Sequence, residues 1–188
     1  LPDGEPVLAM KAAFLTGVRA IEVREPPAPR IARDDDVLIR SKAVGVCGSD
    51  LHYYLSDRVG GDIVRYPFIP GHECAGVVEE VGKAVTRVKP GDAVVIEPAV
   101  SCGICDQCRT GRPHTCRKQF FLGHFGELTG GMAEFALAPE RNCLPLPAKM
   151  TMVQGALAEP LSIAIYAAGL AGSVRGKTAA VLGTGPIG

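Results

Sequence analysis

The chain has 188 residues, of which 20 are basic and 20 acidic, so its formal net charge is zero. A balanced charge without a basic tract argues against binding to nucleic acid or to an anionic membrane surface. No apolar run approaches the roughly 20 residues needed to cross a bilayer. The 23 glycines and 15 prolines, against 6 phenylalanines and 4 tyrosines, favour short strands and many turns over a helical bundle.

From Met10 to about Leu146 the sequence predicts short strands separated by turn residues. The candidate strands are 11–15, 21–23, 37–39, 74–81, 93–96 and 132–137. Strands this short, without crossover helices between them, indicate a small antiparallel barrel, and hence a mainly β fold. We interpret residues 1–9 as an extension ahead of a natural start at Met10.

The composition changes after Thr151. Residues 152–170 are rich in alanine, leucine and isoleucine and predict a helix, interrupted at Pro160 because proline has no backbone N–H. Residues 178–182 predict an apolar strand that leads into a glycine-rich turn with the spacing of a dinucleotide-binding fingerprint. The residues of that fingerprint are Gly183, Gly185, Ile187 and Gly188. Since the helix that would bind the phosphates does not follow, we expect this polypeptide alone to bind a dinucleotide poorly.

Four cysteines lie within fifteen residues, at Cys102, Cys105, Cys108 and Cys116. This spacing lets one loop offer four thiolates to a single cation, as in structural zinc sites. Two disulfides are the alternative, but we find no secretory signal and therefore expect a reducing cytoplasm. Because four thiolates complete a tetrahedron, we expect this zinc ion to support folding and not catalysis.

A second group of metal-binding residue types lies upstream of the cysteines. Cys47 is followed by Gly48, and His72 and Glu73 follow Gly71, so each motif can turn sharply at a strand end. Sulfur, imidazole and carboxylate form a three-ligand set with room for a fourth ligand, which is typical of catalytic zinc. Glu159 lies at the helix interruption, within possible reach of the same metal or of its bound water.

These motifs occur in the order found in zinc-containing medium-chain dehydrogenases, and from Met10 to Gly188 the chain resembles that superfamily. The run from Cys47 to Tyr54 and the segment Glu159-Pro160-Leu161-Ser162 are similar to the polyol branch, the sorbitol and xylitol dehydrogenases. The resemblance implies a GroES-like, partly open barrel over residues 1–160 as catalytic domain, with a zinc lobe at 101–117. Residues 161–188 would begin a Rossmann dinucleotide-binding domain.

The resemblance also implies two zinc ions, one catalytic and one structural. The catalytic zinc would bind to Cys47, His72 and Glu73, whereas alcohol dehydrogenase uses two cysteines and one histidine. It would lower the pKa of a polyol's secondary hydroxyl, from which hydride passes to NAD or NADP. Glu159 would orient the zinc-bound water or ligate the metal directly, and the sequence leaves both alternatives open.

Further roles follow from the same resemblance. Ser49 would accept the hydroxyl proton, and His52 would pass it outward because its ordinary pKa is close to physiological pH. Tyr53 and Phe121 would line the substrate pocket, with ordinary core packing as the alternative. We expect the full-length enzyme to be a dimer or tetramer acting on a small alcohol or polyol.

Two other functions stay open from the residues alone. One is a simple alcohol or threonine dehydrogenase, and the other is a non-catalytic binding module, since a barrel does not determine a function. Outside the candidate site, we expect Cys74 and Cys143 to be buried small hydrophobes. We expect His114 to lie on the surface and His124 to be a solvated loop histidine.

Overall fold

The computed structural model describes residues 9–188, so all but the last residue of the predicted extension lies outside the described part. The structure is mainly β, as the sequence predicts. Its strands are β1 (Ala12–Gly17), β2 (Ala20–Arg24), β3 (Asp36–Gly45), β4 (Arg58–Val59), β5 (Asp62–Ile63), β6 (Glu73–Val81), β7 (Ala93–Ile96), β8 (Ala99–Val100), β9 (Phe120–Phe121), β10 (Phe135–Pro139) and β11 (Cys143–Pro145). Its helices are α1 (Gly48–Leu55), α2 (Asp106–Arg109), α3 (Met152–Ala156) and α4 (Ala158–Leu170), with 3₁₀ turns at Pro113–Thr115 and Glu140–Asn142.

A curled five-stranded antiparallel sheet forms the half-barrel, in the order β10-β3-β6-β7-β11. The pairing of β3 with β6 shifts register twice, between Leu38 and Ile39 and between Ser41 and Ala43. Such irregularities bend a strand and increase its twist, which curls the sheet. The ladder ends where Gly45 pairs with Glu73, so both segments of the second metal-binding motif begin at this end of the sheet.

The main core lies inside the curl and consists of aliphatic side chains from the five strands. Cys74 and Cys143 belong to it and are 1% and 0% exposed, which confirms them as buried small hydrophobes. Burial raises the pKa of each thiol to about 12, so both are neutral at physiological pH. The thiol of Cys143 donates to the carbonyl of Pro139 at 3.5 Å.

The helical segment after Thr151 differs in detail from the prediction. It breaks at Leu157, between α3 and α4, and not at Pro160. Pro160 is the third residue of α4, within the first turn, where a backbone N–H has no intrahelical acceptor and a proline is tolerated. The Thr151 hydroxyl accepts the Gln154 N–H at 3.2 Å and so caps α3.

Residues 178–182, which were predicted as a strand, form none in the structure. A strand is held by the hydrogen bonds of a neighbouring strand, and this segment pairs with no strand among residues 9–188. Leu182 is 98% exposed. Over the same described residues, no helix has both the length and the apolar character needed to span a membrane.

Candidate metal centres

The four clustered cysteines meet in a lobe between β8 and β9, formed by α2 and a 3₁₀ turn. Their Sγ atoms all lie within 4.8 Å of one another. Three of the separations are 3.5 Å for Cys105–Cys108, 3.9 Å for Cys105–Cys116 and 4.0 Å for Cys102–Cys108. Four sulfurs at a Zn–S distance of about 2.3 Å would be about 3.8 Å apart, so the donor set fits zinc. All four thiols are free, and the alternative of two disulfides is not formed.

Backbone amides and one ion pair hold the lobe in this arrangement. The Cys116 Sγ accepts the Cys102 N–H at 3.2 Å. The backbone N–H of Arg117, followed by that of Cys108, lowers the pKa of Cys105 to about 6. The Arg117 guanidinium donates to Asp106 at 2.5 and 2.8 Å. The contacts of Cys105 favour its thiolate, whereas burial raises the pKa of Cys108 to about 11. The contact between Cys102 and Cys116 joins the two ends of the loop, as a metal-binding lobe requires.

The second predicted set, Cys47, His72 and Glu73, also comes together. The Cys47 sulfur, a ring nitrogen of His72 and a Glu73 oxygen lie within 4.8 Å of one another. Cys47 immediately precedes α1, and Glu73 is the first residue of β6. His72 and Glu73 are 6% and 8% exposed, whereas Cys47 is half-buried. Buried imidazole and carboxylate beside a thiol are a donor set that fits zinc, with a fourth position left for another ligand.

Gly45 determines where the Glu73 carboxylate lies. The two residues are paired across the ends of β3 and β6. A Cβ atom at Gly45 would overlap Oε2 of Glu73 and touch its Cβ and Cδ at 3.0 Å. The carboxylate therefore occupies the space that a side chain at Gly45 would take, and a larger residue there would have to displace it.

Asp50 is a site residue that the sequence reasoning missed. It is 4% exposed, accepts the Cys47 N–H at 2.9 Å and the Gly71 N–H at 3.3 Å, and lies 4.0 Å from Nδ1 of His72. Burial raises the pKa of Asp50, while the Cys47 amide and the His72 charge oppose that shift. One buried carboxyl thus connects the segments that carry all three metal-binding side chains. The signal was an acid three residues after Cys47, a spacing typical of a helix start.

Glu159 lies near this cluster without being part of it. It is half-buried in the first turn of α4 and is not among the three residues whose donor atoms lie within 4.8 Å of one another. Burial raises the pKa of Glu159, His72 lowers it and Glu73 raises it further. The Glu159 carboxyl is therefore close enough to the cluster for the charges of His72 and Glu73 to affect its pKa.

The residues of the predicted proton path lie on α1. Ser49 is half-buried and His52 is exposed. A separation of three residues places them on neighbouring positions of one helix face, with Ser49 nearer to the Cys47 end. The positions agree with the predicted order from the cluster to solvent, and the proton transfer itself stays a prediction.

The two predicted pocket aromatics lie in different surroundings. Phe121 is half-buried, with its ring centroid 5.3 Å from that of His72. Tyr53 is 6% exposed and packs edge-on against Phe68 and Phe125 at 5.5 and 5.6 Å. Burial is the main cause that raises the pKa of Tyr53 to about 12. Phe121 therefore lies beside the metal-binding cluster, whereas Tyr53 is packed in the aromatic core next to it.

His124 differs from its prediction as a solvated loop residue. Its ring stacks on Phe125 at 4.2 Å and lies edge-on to Tyr53 at 6.1 Å. Its side chain is 29% exposed, and its Nδ1 lies 3.1 Å from Oε1 of Glu127. The flanking Gly123 and Phe125 are buried, so the loop folds inward and carries the imidazole with it. His114 is exposed in the cysteine lobe, as predicted.

The glycine-rich turn at residues 183–188 is exposed. Gly183 has a φ of +100°, which favours glycine. Without a strand before it, the turn forms no phosphate-binding cradle among residues 9–188, and the roles predicted for Gly183, Gly185, Ile187 and Gly188 stay predictions.

Comparison with known proteins places this geometry in a family. The family model described as "Alcohol dehydrogenase GroES-like domain" matches residues 33–148. Sorbitol dehydrogenase of Bacillus subtilis is 40% identical over 179 residues, which are 95% of this chain and 50% of that protein. L-idonate 5-dehydrogenase of Vitis vinifera is 38% identical over 177 residues, 94% of this chain and 48% of that protein. The chain spans about half the length of these curated relatives.

Among solved structures, galactitol-1-phosphate dehydrogenase from Escherichia coli is similar to this chain with a TM-score of 0.79 and 32% identity. The match covers 86% of this chain and 45% of the other.

Proposed function

Because the chain belongs to the alcohol dehydrogenase GroES-like domain family, we propose that it is the zinc-binding, substrate-binding half of a polyol dehydrogenase. The enzyme would transfer a hydride from a secondary alcohol of a polyol to NAD or NADP. The observation that carries this proposal is the meeting of Cys47, His72 and Glu73 within 4.8 Å. Three donors of different chemistry leave a coordination position for a substrate, which a structural site does not need.

The chain's own residues supply binding and proton transfer in this proposal. Bound to the three donors, zinc would act as a Lewis acid on the substrate hydroxyl and lower its pKa. Ser49 accepts the hydroxyl proton, and His52, exposed on the same helix, passes it to solvent. Glu159 orients a water molecule at the cluster, because its half-buried carboxyl lies outside the ligand group.

The cysteine lobe has a separate role in the proposal. Its four thiols bind one structural zinc ion, so the chain holds two zinc ions in all. The separations of 3.5 to 4.0 Å between its sulfurs support a closed tetrahedron. A closed site has no position for substrate, and this zinc stabilises the loop between β8 and β9.

The hydride acceptor would be held by a cofactor-binding domain. We assign residues up to 160 to the catalytic domain and residues 161–188 to the beginning of a Rossmann domain. Helix α4 exposes large apolar side chains that such a domain would cover: Leu161, Ile163, Ile165, Tyr166 and Leu170 are 51 to 73% exposed. We expect the complete enzyme to be a cytoplasmic dimer or tetramer.

The substrate class follows from the relatives' activities. Two relatives that are at least 38% identical to this chain are a sorbitol dehydrogenase and an L-idonate 5-dehydrogenase. Sorbitol and L-idonate both carry several hydroxyl groups. A polyol is therefore the expected substrate class, and the individual polyol is left to experiment.

Steady-state kinetics test the proposal directly. The chain, extended through a complete cofactor-binding domain, should reduce NAD or NADP with sorbitol or xylitol at a higher kcat/KM than with ethanol. A higher kcat/KM with ethanol would mean that the substrate is a simple alcohol and not a polyol. Zinc-loaded protein without activity on any alcohol would favour a non-catalytic binding module.

A further inference from the structure

Glu127 lies outside the metal-binding cluster, yet its carboxylate contacts two aromatic residues of the turn that it ends, Phe121 and His124. Oε2 of Glu127 accepts the Phe121 N–H at 2.5 Å. Oε1 lies 3.1 Å from Nδ1 of His124. The Glu127 N–H in turn donates to the His124 carbonyl at 3.2 Å. One side chain therefore closes the turn from residue 121 to residue 127.

One of the two residues that Glu127 contacts, Phe121, lies beside the candidate site, and the other, His124, contacts the adjacent aromatic core. The Phe121 ring lies 5.3 Å from the His72 ring at an interplanar angle of 61°. The His124 ring lies 6.1 Å from the Tyr53 ring at 79°. A movement of the turn would change both contacts at once, so Glu127 helps to fix the wall that the Phe121 ring makes beside His72.

The turn contains two glycines, whose backbone is less restricted than that of other residues. Gly123 and Gly126 have φ values of +74° and +76°, and glycine gives the backbone the most freedom. Gly123 also packs directly against the Gly71 backbone, next to His72. The buried Nδ1 of His124 has no hydrogen-bond partner among residues 9–188, although Oε1 of Glu127 lies 3.1 Å from it.

We propose that Glu127 is a positioning residue that makes the enzyme select polyols over simple alcohols. This inference rests on the proposed function. A polyol must be held along its length for one hydroxyl to reach the metal-binding cluster in a reactive geometry, and that orientation depends on a fixed wall. Ethanol has no remote part to orient, so it gains little from the wall.

Two variants of Glu127 in the chain extended through a complete cofactor-binding domain test the inference. Glu127→Ala should lower the kcat/KM for sorbitol by about tenfold or more, mainly through KM, and change that for ethanol by less than about threefold. Glu127→Gln keeps an acceptor for the Phe121 N–H and should recover most of the loss. The control is Glu134→Ala, which removes a similar contact, a carboxylate accepting the Lys11 N–H at 2.7 Å, and should leave the selectivity unchanged.

A measurement without turnover tests the positioning separately. The ring-proton chemical shifts of His72 should change in Glu127→Ala and stay as in the parent in Glu134→Ala, because the Phe121 ring lies edge-on to His72. Equal losses for sorbitol and ethanol, or unchanged selectivity in an active enzyme, would overturn the inference and leave the proposed function standing. A zinc-loaded parent without polyol activity would overturn both.

Discussion

Oδ1 of Asp50 lies 4.0 Å from Nδ1 of His72, and the two side chains are 4% and 8% exposed. The same carboxyl accepts the N–H groups of Cys47 and Gly71. At that distance the carboxyl makes no hydrogen bond to the imidazole. It acts instead by holding the two backbone segments that carry the metal-binding side chains. The distance between two donor-bearing segments, the start of α1 and the start of β6, is thus set by one buried acid.

Asp50→Asn should weaken zinc binding at the Cys47 site by about 10- to 100-fold. The two carboxyl oxygens accept different N–H groups, from Cys47 and from Gly71, whereas an amide has only one oxygen. Competition with a chelator would measure the affinity of each zinc ion. Asp62→Asn, an exposed acid in β5, is the control and should leave both affinities unchanged. Equal zinc affinity in Asp50→Asn and in the parent would show that Asp50 does not contribute to metal binding.

Gly45→Ala should displace the Glu73 carboxylate, because the new Cβ would overlap it. We expect zinc affinity at this site to fall by about tenfold or more, with the cysteine lobe unaffected. Gly48→Ala is the matched control, since a Cβ there meets no atom within 4 Å. The idea that Gly45 makes room for Glu73 fails if both variants bind zinc alike.

Cys105→Ser should cost the chain one zinc ion and loosen the lobe, because the remaining ligands no longer close the tetrahedron. Elemental analysis should count two zinc ions in the parent and one in the variant, and limited proteolysis should cut the variant within residues 101–117. Cys47→Ser should lose the other ion and leave the lobe resistant. Full zinc content with unchanged protease resistance in Cys105→Ser would contradict the structural role.

Cys143 should make the protein less stable at alkaline pH. Burial raises its folded-state pKa from 9.0 to about 12, so the stability from burying the neutral thiol is present below pH 9 and is lost as the pH rises towards 12. Between these values the free energy of unfolding should fall by about 1.4 kcal/mol per pH unit for this group. Denaturant unfolding at several pH values would measure this change, and the free energy of unfolding should fall less steeply with pH in Cys143→Ala. If the free energy of unfolding falls equally steeply with pH in both proteins, Cys143 does not cause the loss of stability.

Local spacing was sufficient to predict much of this molecule. The ranges predicted for β2, β6 and β7 agree with the structure within about two residues, because alternation and turn residues bound them clearly. The cysteine lobe was predicted because its four ligands lie close together in sequence. The cluster of Cys47 with His72 and Glu73 needed the resemblance as well, since 24 residues separate its two segments and only the curled sheet brings them together.

The missed features depend on tertiary contacts. Helix α1 has eight residues, too few to be stable alone, and it forms by packing on the barrel. No role was predicted for Asp50, because only the folded chain brings the Gly71 amide beside it. Residues 178–182 have a strand-like composition, but composition does not supply a pairing partner.

The visible spectrum of the cobalt-substituted protein tests the central claim most directly, since cobalt can replace zinc at both centres and report on its ligands. We expect the bands of the Cys47 site to change when a polyol or a small anion is added, in the parent and in Cys105→Ser alike. In Cys47→Ser the response should disappear. A spectrum of the parent that no added ligand changes would mean that the site is closed, and the proposal that substrate binds there would be wrong.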